Sequence, residues 1–512
     1  MPLQPWHERG DAHRGAPGLR QLTVSQNEWR EAAQDVAAAG GRLLSLWASA
    51  DEHGAPKIRA VFLSDRGGLV LTLPLADTDT PYPGIEDLFP AASRMQRAAA
   101  DVSGVRSTDR DARPWLRHGA WSQSYRPLID PLPEVLATGP TVDSYDFVRV
   151  EGDGVHEIAV GPVHAGTIEP GHFRFSVVGE KVLRLEERLG YVHKGIELRF
   201  TQLPILEAHR LAARVSGDSA VAFSWAYCQA LEGMSGAEAP PRAAWLRALY
   251  LELERMANHL GDLGALGNDA GFAFGLAQFS RLKEQLLRAN QHAFGERYLM
   301  GAVVPGGTRH DLTRTGLPAL RRCAWEILRE VQTLRTIYDE HEGVRDRFNG
   351  AGTVGAELAA RLGLTGLAGR ASAQSFDVRR DLPCEPYSQL SVNKIVRSEG
   401  DVAARVAVRF DELQESCRLI QHILAELPRG PHCIAVPAPA VGAVGAGLIE
   451  GWRGPVWVAL EAGPEGTIRR CHPHDPSWHN WPVLEHAIIG NIVPDFPLIN
   501  KSFNLSYSGH DL

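Results

Sequence analysis

Four long segments in the second half of the chain carry apolar residues at helical spacing. Residues 280–294, 319–338 and 401–427 show the pattern, and residues 245–261 show it most fully, with Leu246, Leu249, Leu253, Met256 and Leu260 at steps of three or four. A helix with one apolar face must bury that face against a neighbour, so four such helices in one region pack together. The sequence therefore predicts a helix bundle as the core of the larger part of the chain.

The flanking segments predict an α+β protein with two domains. Residues 21–125 begin with a capping box at 25–28, predict a helix through Ala39, and continue as a meander of strand-like runs at 42–49, 57–63 and 69–75. Residues 151–512 hold the four helices, with short strands predicted at 157–160, 173–178, 182–185, 456–460 and 466–470. We expect a disordered tail over residues 1–20 and a proline-rich linker over 126–150.

Composition and charge exclude several classes of protein. The 512 residues include 53 Lys+Arg and 61 Asp+Glu, a net charge of −8, so we expect no nucleic-acid partner. The six cysteines form no CxxC pair, which excludes a disulfide scaffold and an all-cysteine metal site at standard spacing. The N-terminus lacks the apolar core of a signal peptide, and proline and glycine interrupt the uncharged run 430–449. We expect a cytoplasmic chain without a membrane span.

Three local motifs suggest chemistry without identifying it. Cys471-His472-Pro473-His474, with His479 and His486, resembles a metal cluster, but its irregular spacing favours a solvent-exposed loop. The glycine-rich stretch 442–447 is not followed by a dinucleotide-binding pattern, so phosphate binding has weak support. The charged stretch 377–381 fits either a solvated surface or the lining of a cleft.

Longer motifs carry a resemblance to one family. They are GPVH at 161–164, EPGHF at 169–173, YVHKGIE at 191–197, LELERMANHL at 251–260, PGG at 305–307 and GDV at 400–402. Residues 151–512 thereby resemble the large subunit of group 4 NiFe hydrogenases and the D-type subunit of respiratory complex I. Residues 21–125, with FPAA at 89–92 and RPWLRHG at 113–119, resemble the C-type subunit of complex I. The order of the two regions, C-type before D-type, resembles that of the fused large subunits of the formate-hydrogenlyase type.

The metal-ligand positions of that family are changed in this chain. NiFe hydrogenases bind nickel and iron through two CxxC pairs, because soft thiolates bridge low-valent metals and a serine hydroxyl stays protonated at neutral pH. The corresponding positions here are Ser216, Ser219, Ser506 and Gly509. The resemblance therefore implies that the chain holds no metal and is not a NiFe hydrogenase on its own. We also expect no cleavable maturation tail.

A quinone site is a second expectation from the resemblance. In complex I, a histidine of the early β-loop and a tyrosine near the first cysteine motif contact the quinone headgroup. His164 occupies the histidine position, whereas Gly217 stands where the tyrosine is expected. Tyr191 or Tyr507 could supply the missing phenol. Alternatively, His164 only holds its own turn.

The resemblance also predicts a polar cavity. Its candidate catalytic residues are Glu197, Arg214, Asp218, Arg379 and Asp381. We expect Arg214 or Arg379 to pair with Asp218 or Asp381, because buried charges need partners. Glu197 matches a family position linked to proton passage, and a partly buried carboxyl can titrate near neutrality. Such a network either relays protons or is a relic retained for packing.

The first functional hypothesis is a metal-free, hydrogenase-like large subunit of a complex I-related redox or ion-translocating complex. The resemblance implies a small subunit of the complex I B type that carries an iron–sulfur cluster, membrane subunits, and a peripheral position on the inner face of the cell membrane. This chain itself is expected to bind no cofactor, with quinone left open. The alternatives are an NADH- or ferredoxin-quinone oxidoreductase subunit with a modified quinone site, and a non-catalytic coupling scaffold.

Overall fold

The computed structural model describes residues 3–119, 121–131, 145–166 and 168–512. Most of the predicted linker, residues 132–144, lies outside the described residues. The helices are α1 (Gln4–Arg9), α2 (Gln26–Ala38), α3 (Ala92–Ser103), α4 (Ile196–Thr201), α5 (His209–Ala212), α6 (Ala220–Ser235), α7 (Pro241–Asp269), α8 (Ala273–Phe294), α9 (Gly316–Glu340), α10 (Glu342–Phe348), α11 (Ala356–Leu362), α12 (Gly366–Ala371), α13 (Val378–Asp381), α14 (Val402–Glu426), α15 (Ser477–Ala487), α16 (Phe496–Phe503) and α17 (Tyr507–Asp511).

The strands form small sheets around these helices, so the predicted α+β class is confirmed. They are β1 (Asp11–Ala12), β2 (Leu19–Thr23), β3 (Arg42–Ala50), β4 (Pro56–Ser64), β5 (Gly67–Pro74), β6 (Val155–Val160), β7 (His172–Val178), β8 (Lys181–Arg188), β9 (Val303–Val304), β10 (Gly307–Thr308), β11 (Val444–Glu450), β12 (Pro455–Ala462) and β13 (Ile468–His474).

The predicted helix bundle consists of α7, α8, α9 and α14. Helix α7 packs on α8 and α14, and α9 packs on the same two helices. Phe279, Tyr338 and Phe410 meet edge to face in the centre, with ring centroids 5.7 to 5.9 Å apart. Helices α7 and α9 extend beyond their predicted ranges at both ends and α8 at its N-terminus, whereas α14 matches its predicted range to within one residue at each end.

The N-terminal sheet has the order β1-β2-β5-β4-β3, with β2 parallel to β5 and the other pairs antiparallel. The predicted meander β3-β4-β5 and the capping box are both present; Ser25 accepts from the N–H of Glu28, whose carboxylate accepts from the N–H of Ser25. Helix α3, which the sequence did not predict, packs on β3.

The prediction of a disordered tail over residues 1–20 is wrong for the part that the structure describes. Residues 4–9 form α1, and Trp6 is buried with its indole N–H donating to Asp35 at 2.8 Å. The backbone of Arg14 and Ala16 exchanges hydrogen bonds with Ala446 in β11. Because these contacts are all distant in sequence, local composition gave no indication of them.

The sheet β11-β12-β13 contains both the glycine-rich stretch and the Cys471–His474 motif. The glycine-rich stretch 442–447 leads into β11, where added Cβ atoms at Gly445 and Gly447 would lie 2.4 and 1.8 Å from carbonyl oxygens of α6. These glycines therefore allow close helix–sheet packing. The Cys471–His474 motif is not a solvent-exposed loop but the buried end of β13, where His472 stacks on Trp47 at 5.2 Å.

Among the described helices, none combines the length and the apolar character that a membrane crossing requires.

Candidate functional site: a cleft at the altered metal-ligand positions

A cleft of about 890 Å³ opens where residues 216–218 lie near the C-terminal segment 497–508. The turn before α6 supplies Ser216, Gly217 and Asp218, and the turn between β11 and β12 supplies Arg453. The rest of the lining comes from residues 497–508, from the end of α7 and the start of α8, and from the loop that contains Glu169. Sequence-distant segments thus converge on one concave surface, as binding sites commonly require.

The four altered metal-ligand positions form one directed hydrogen-bond chain. The N–H of Gly509 donates to Ser506 Oγ at 2.8 Å, and the Oγ atoms of Ser506 and Ser216 are 2.8 Å apart. Ser216 donates to Asp218 Oδ1 at 2.7 Å, and Ser219 donates to the same atom at 3.3 Å. The chain ends at the Asp218 carboxylate, which is the acceptor common to both N-terminal serines.

Arg453 is the cationic partner of Asp218. Its Nη2 lies 2.5 Å from Asp218 Oδ2, and its Nε donates to the carbonyl of Asn504 at 2.6 Å. The side chain of Arg453 is buried at 3% exposure, whereas that of Asp218 is 37% exposed to the cleft. Burial by itself would raise the pKa of Asp218, but Arg453 and the serine hydroxyls lower it below its usual value. The carboxylate is therefore ionised at neutral pH.

The backbone around Arg453 fixes this pair in place. A Cβ at Gly366 would lie 1.9 Å from the Arg453 carbonyl, so only glycine, here at φ +63°, permits that approach. The Arg453 guanidinium lies 4.2 Å from the ring of Trp452, whose indole N–H donates to the Asp218 carbonyl at 2.9 Å. The ion pair is thus held through both its side chains and its main chain.

The site does not fit a thiolate-bound metal pair. A Cβ at Gly509 would lie 2.7 Å from Asp475 Oδ2 and 2.9 Å from Ser506 Oγ, so a cysteine cannot enter that position without displacing its neighbours. Asp475 is fully buried, and burial raises the pKa of its carboxyl above the usual value, although Arg453 lowers it in part. In the part of the chain that the structure describes, no group of His, Cys, Asp or Glu residues is arranged to hold a metal ion.

Glu197 lies away from the cleft, at the contact between β13 and the N-terminal sheet. Its Oε1 is 2.7 Å from both Arg470 Nη2 and His472 Nδ1, and His472 Nε2 lies 2.9 Å from Ser45 Oγ. Burial opposes ionisation, but these two partners lower the pKa of Glu197 to about 2. The expectation that this carboxyl titrates near neutrality is therefore wrong.

The predicted pairing of Arg214 or Arg379 with Asp218 or Asp381 is also wrong. Arg379 is buried between α13 and the bundle, 2.8 Å from Asp377 and 3.1 Å from Glu252. Arg214 is exposed, and its guanidinium donates to the carbonyl of Arg210. Asp381 pairs with Lys394 at 2.9 Å near the surface. Helix geometry separates these side chains, because α13 projects Arg379 inward and Asp381 outward.

The three quinone candidates are dispersed. Tyr507 lines the cleft, whereas His164 and Tyr191 are not among its lining residues. His164 Nε2 donates to the Gly171 carbonyl at 2.9 Å, which holds the loop between β6 and β7. Tyr191 packs against His118 with ring centroids 4.4 Å apart. Only Tyr507 could therefore contact a ligand in this cleft.

The sequence gave no indication of a role for Arg453, Asp475 or Glu254. Arg453 is 235 residues from its partner Asp218, in a short turn that carries no recognisable motif. Glu254 lies on the buried face of α7, within the family motif at 251–260, but neither the motif nor the apolar spacing gave this residue a role. Its position among apolar residues was one available signal, because a glutamate among buried positions needs a partner.

The helix bundle, and the meeting of Ser216 and Ser219 with Ser506 and Gly509 beside it, agree with the resemblance to a hydrogenase-type large subunit. The profile of the family described as "Respiratory-chain NADH dehydrogenase, 49 Kd subunit" matches residues 269–443. Formate hydrogenlyase subunit 5 of Escherichia coli is 31% identical over 442 residues, covering 85% of this chain and 78% of that protein.

Two further similarities extend across the chain. The C/D-type subunit of NADH-quinone oxidoreductase from Bacteroides thetaiotaomicron is 27% identical over 459 residues, covering 83% of this chain and 86% of that protein. A protein in the structure of an archaeal membrane-bound sulfane sulfur reductase shares the fold, with a TM-score of 0.66, 24% identity, and coverage of 70% of this chain and 99% of that one. The chain belongs to the family of complex I 49 kDa-type subunits and group 4 hydrogenase large subunits.

Proposed function

We propose that this chain is a metal-free large subunit in which the Asp218–Arg453 ion pair occupies the functional place of the NiFe centre. The observation that carries the proposal is the continuous hydrogen-bond chain from Ser506 through Ser216 to Asp218. Hydroxyl groups that already donate to a carboxylate are poor ligands for a soft metal, and Gly509 offers no side chain.

The chemistry available to this site is electrostatic. Asp218 is an anion that faces the cleft, and Arg453 is its buried cationic partner. A change of charge or protonation in the cleft would alter the strength of this pair, and the backbone contacts of Trp452 and Asn504 would transmit the change to the surrounding helices. The proposed role is therefore to couple a partner's redox step to proton or conformational changes.

The relatives suggest the surroundings of this protein. Their names describe NADH-quinone oxidoreductase, formate hydrogenlyase and a respiratory membrane complex. We infer that this chain binds an iron–sulfur small subunit of the complex I B type and membrane subunits, as a peripheral component on the inner face of the membrane. Native purification followed by identification of the co-purifying subunits tests this assembly. A stable, monodisperse monomer without partners would contradict it.

Metal analysis tests the central claim. The full chain, purified with its partners from cells supplied with nickel, should contain nickel only far below one atom per chain, and iron only in proportion to partner clusters. Stoichiometric nickel in this chain, or hydrogen oxidation by a complex that lacks other hydrogenases, would overturn the proposal.

The coupling role is tested by Asp218→Asn in the assembled complex. The amide keeps the shape and one acceptor oxygen but removes the charge, so turnover should fall while the subunits remain associated. Asp346→Asn, at an exposed aspartate of α10 outside the cleft, is the charge-matched control and should leave turnover unchanged. Unchanged turnover in Asp218→Asn would contradict the coupling role and favour the alternative of a non-catalytic scaffold.

Quinone binding is a second candidate function. A cleft of about 890 Å³ that contains the Tyr507 phenol has the volume and one of the hydrogen-bond groups that a quinone headgroup requires. Extraction of the purified complex should then yield quinone, and Tyr507→Phe should reduce its amount. The absence of quinone from a complex purified without delipidation would contradict this candidate.

A further inference from the structure

A second cavity of about 140 Å³ adjoins the Gly217–Asp218 segment. Its walls come mainly from α7, α8 and the residues after α8. Gly217 and Asp218 line both this cavity and the cleft, so the two spaces share one segment of the chain. We name this space the α7–α8 cavity.

The polar groups in the α7–α8 cavity indicate water. Asn290 is 1% exposed, and its Oδ1 has no hydrogen-bond partner among the described residues. A buried carbonyl of this kind is normally satisfied by protein or by ordered water. At roughly 30 Å³ for each water molecule, the cavity has room for about four. The Lys283 ammonium adds donors to the same walls.

Glu254 connects this cavity to the Asp218 segment. Its carboxyl group accepts from the N–H groups of Val221 at 2.7 Å and Ala222 at 3.3 Å, at the beginning of the 16-residue helix α6. The Asn258 side chain donates to the carbonyl of Asp218 at 2.8 Å and to the carbonyl of Glu254 at 2.9 Å. No side-chain cation of the described residues lies within ion-pair distance of Glu254, unlike Asp218 beside Arg453.

We propose that the α7–α8 cavity is a water-filled proton chamber, and that the Glu254 carboxyl exchanges protons between this water and the Asp218–Arg453 site. This inference rests on the proposed function in one respect, the coupling role of the Asp218–Arg453 pair. The protonation of Glu254 can be measured without turnover, so it is tested separately.

The charged groups around Glu254 favour a protonated carboxyl. Burial raises the pKa of Glu254 to about 8, although the two N–H groups at the start of α6 oppose the rise. The anionic Asp218 raises the pKa further, and Arg255, the next residue of α7, lowers it. From α8 and the segment after it, Lys283 and Arg297 face the cavity, and Arg297 is already paired with Glu284 at 2.5 Å. A proton is thus bound near physiological pH and can be released there.

Infrared titration of the full chain with its co-purifying partners tests the proposal. Subtracting the Glu254→Gln spectrum from the wild-type spectrum should isolate the carbonyl stretch of a protonated carboxylic acid, which disappears with a midpoint near pH 8. Glu238→Gln, at an exposed glutamate just before α7, is the matched control and should leave this band in place. A Glu254 band that is absent at pH 6 would overturn the proposal.

Two further variants separate proton exchange from a purely structural role. Asp218→Asn removes the neighbouring anion, so the midpoint of Glu254 should fall by roughly half a unit or more. Ala257→Leu fills the α7–α8 cavity and should slow the hydrogen–deuterium exchange of the Glu254 carboxyl in D₂O, while the band itself persists. An unshifted midpoint, or exchange as fast as in the wild type, would show that Glu254 only caps α6. Both measurements are independent of the nickel analysis that tests the proposed function.

Discussion

Glu197 and Glu254 are two buried glutamates with opposite charge states. They are 6% and 7% exposed, so burial does not distinguish them. Glu197 touches Arg470 and His472, and its pKa falls to about 2. Glu254 accepts only from backbone N–H groups, and its pKa rises to about 8. The comparison teaches that the partner, and not the depth of burial, determines whether a buried carboxyl is a fixed charge or a proton carrier.

The surroundings of Glu197 and Glu254 differ in the same way as their charge states. Glu197 joins β13 to the N-terminal sheet through His472 and Ser45, where a permanent charge holds two modules together. Glu254 borders a cavity next to the cleft, where a titrating group has access to water and to Asp218. The first residue is therefore structural, and the second belongs to the proposed site.

The largest expected effect is that of Arg470→Met. It removes the main cationic partner of Glu197 and leaves a buried carboxylate with His472 alone, so the free energy of unfolding should fall by about 3–5 kcal/mol. Urea unfolding of the purified complex, followed by tryptophan fluorescence, measures this loss. Arg469→Met, at the neighbouring half-buried position, is the control and should lose far less. If the free energy of unfolding fell equally in Arg469→Met and Arg470→Met, the ion pair with Glu197 would not be the cause of the loss.

The pH dependence of stability should have opposite signs at the two residues. The folded-state pKa of Glu197 is below its ordinary value of 4.5, so its contribution is present above pH 4.5 and is lost as the pH falls towards 2, for a total of about 3 kcal/mol. The folded-state pKa of Glu254 is raised, so its contribution is present below pH 4.5 and is lost as the pH rises through 8.

Glu197→Gln and Glu254→Gln test these signs. Relative to the wild type, Glu197→Gln should flatten the loss of stability below pH 4.5, and Glu254→Gln should flatten the loss between pH 4.5 and 8. Unfolding midpoints measured in urea across this pH range provide the comparison. If Glu254→Gln changed the stability only below pH 4.5, Glu254 would be a fixed charge like Glu197.

Local signals predicted most of the fold. The bundle helices follow from apolar spacing, and α2 follows from its capping box, because these patterns require only neighbouring residues. The docking of α1 depends on Trp6 and Asp35, and the burial of β13 depends on Trp47; both involve partners that the local sequence does not specify. Long-range packing therefore accounts for the errors at the N-terminus and at the Cys471–His474 motif.

The candidate site was predictable only where a family pattern marked it. The pattern identified Ser216, Ser219, Ser506 and Gly509, and the structure brings them together. The charge states were not predictable, because Arg453 and Arg470 lie more than 200 residues from the carboxylates with which they pair. The family pattern identified the altered ligand positions, and only the tertiary contacts identified Arg453 as the partner of Asp218 and determined which groups are ionised.

Gly509→Ala tests the closure of the altered metal site. The new Cβ would lie 2.7 Å from Asp475 Oδ2, so the free energy of unfolding should fall by about 1–3 kcal/mol. Gly217→Ala is the matched control in the same cleft, since its Cβ would meet nothing within 4 Å, and its effect should stay within about 0.5 kcal/mol. A tolerated alanine at 509 would mean that this position still has room for a ligand side chain.

The smallest expected effect belongs to Ser216→Ala, which breaks the hydrogen-bond chain at its centre. Alanine removes the donor to Asp218 at 2.7 Å and the acceptor for Ser506, and because the cleft lets water replace both partners, the loss should be about 1 kcal/mol. Ser219→Ala removes only the 3.3 Å contact to Asp218 and should lose less. The pKa of Asp218 should rise in Ser216→Ala, because a hydrogen bond to its charged form is lost. Isotope-edited infrared titration of Asp218 measures that rise, and an unchanged pKa would show that Arg453 alone sets the charge of the site.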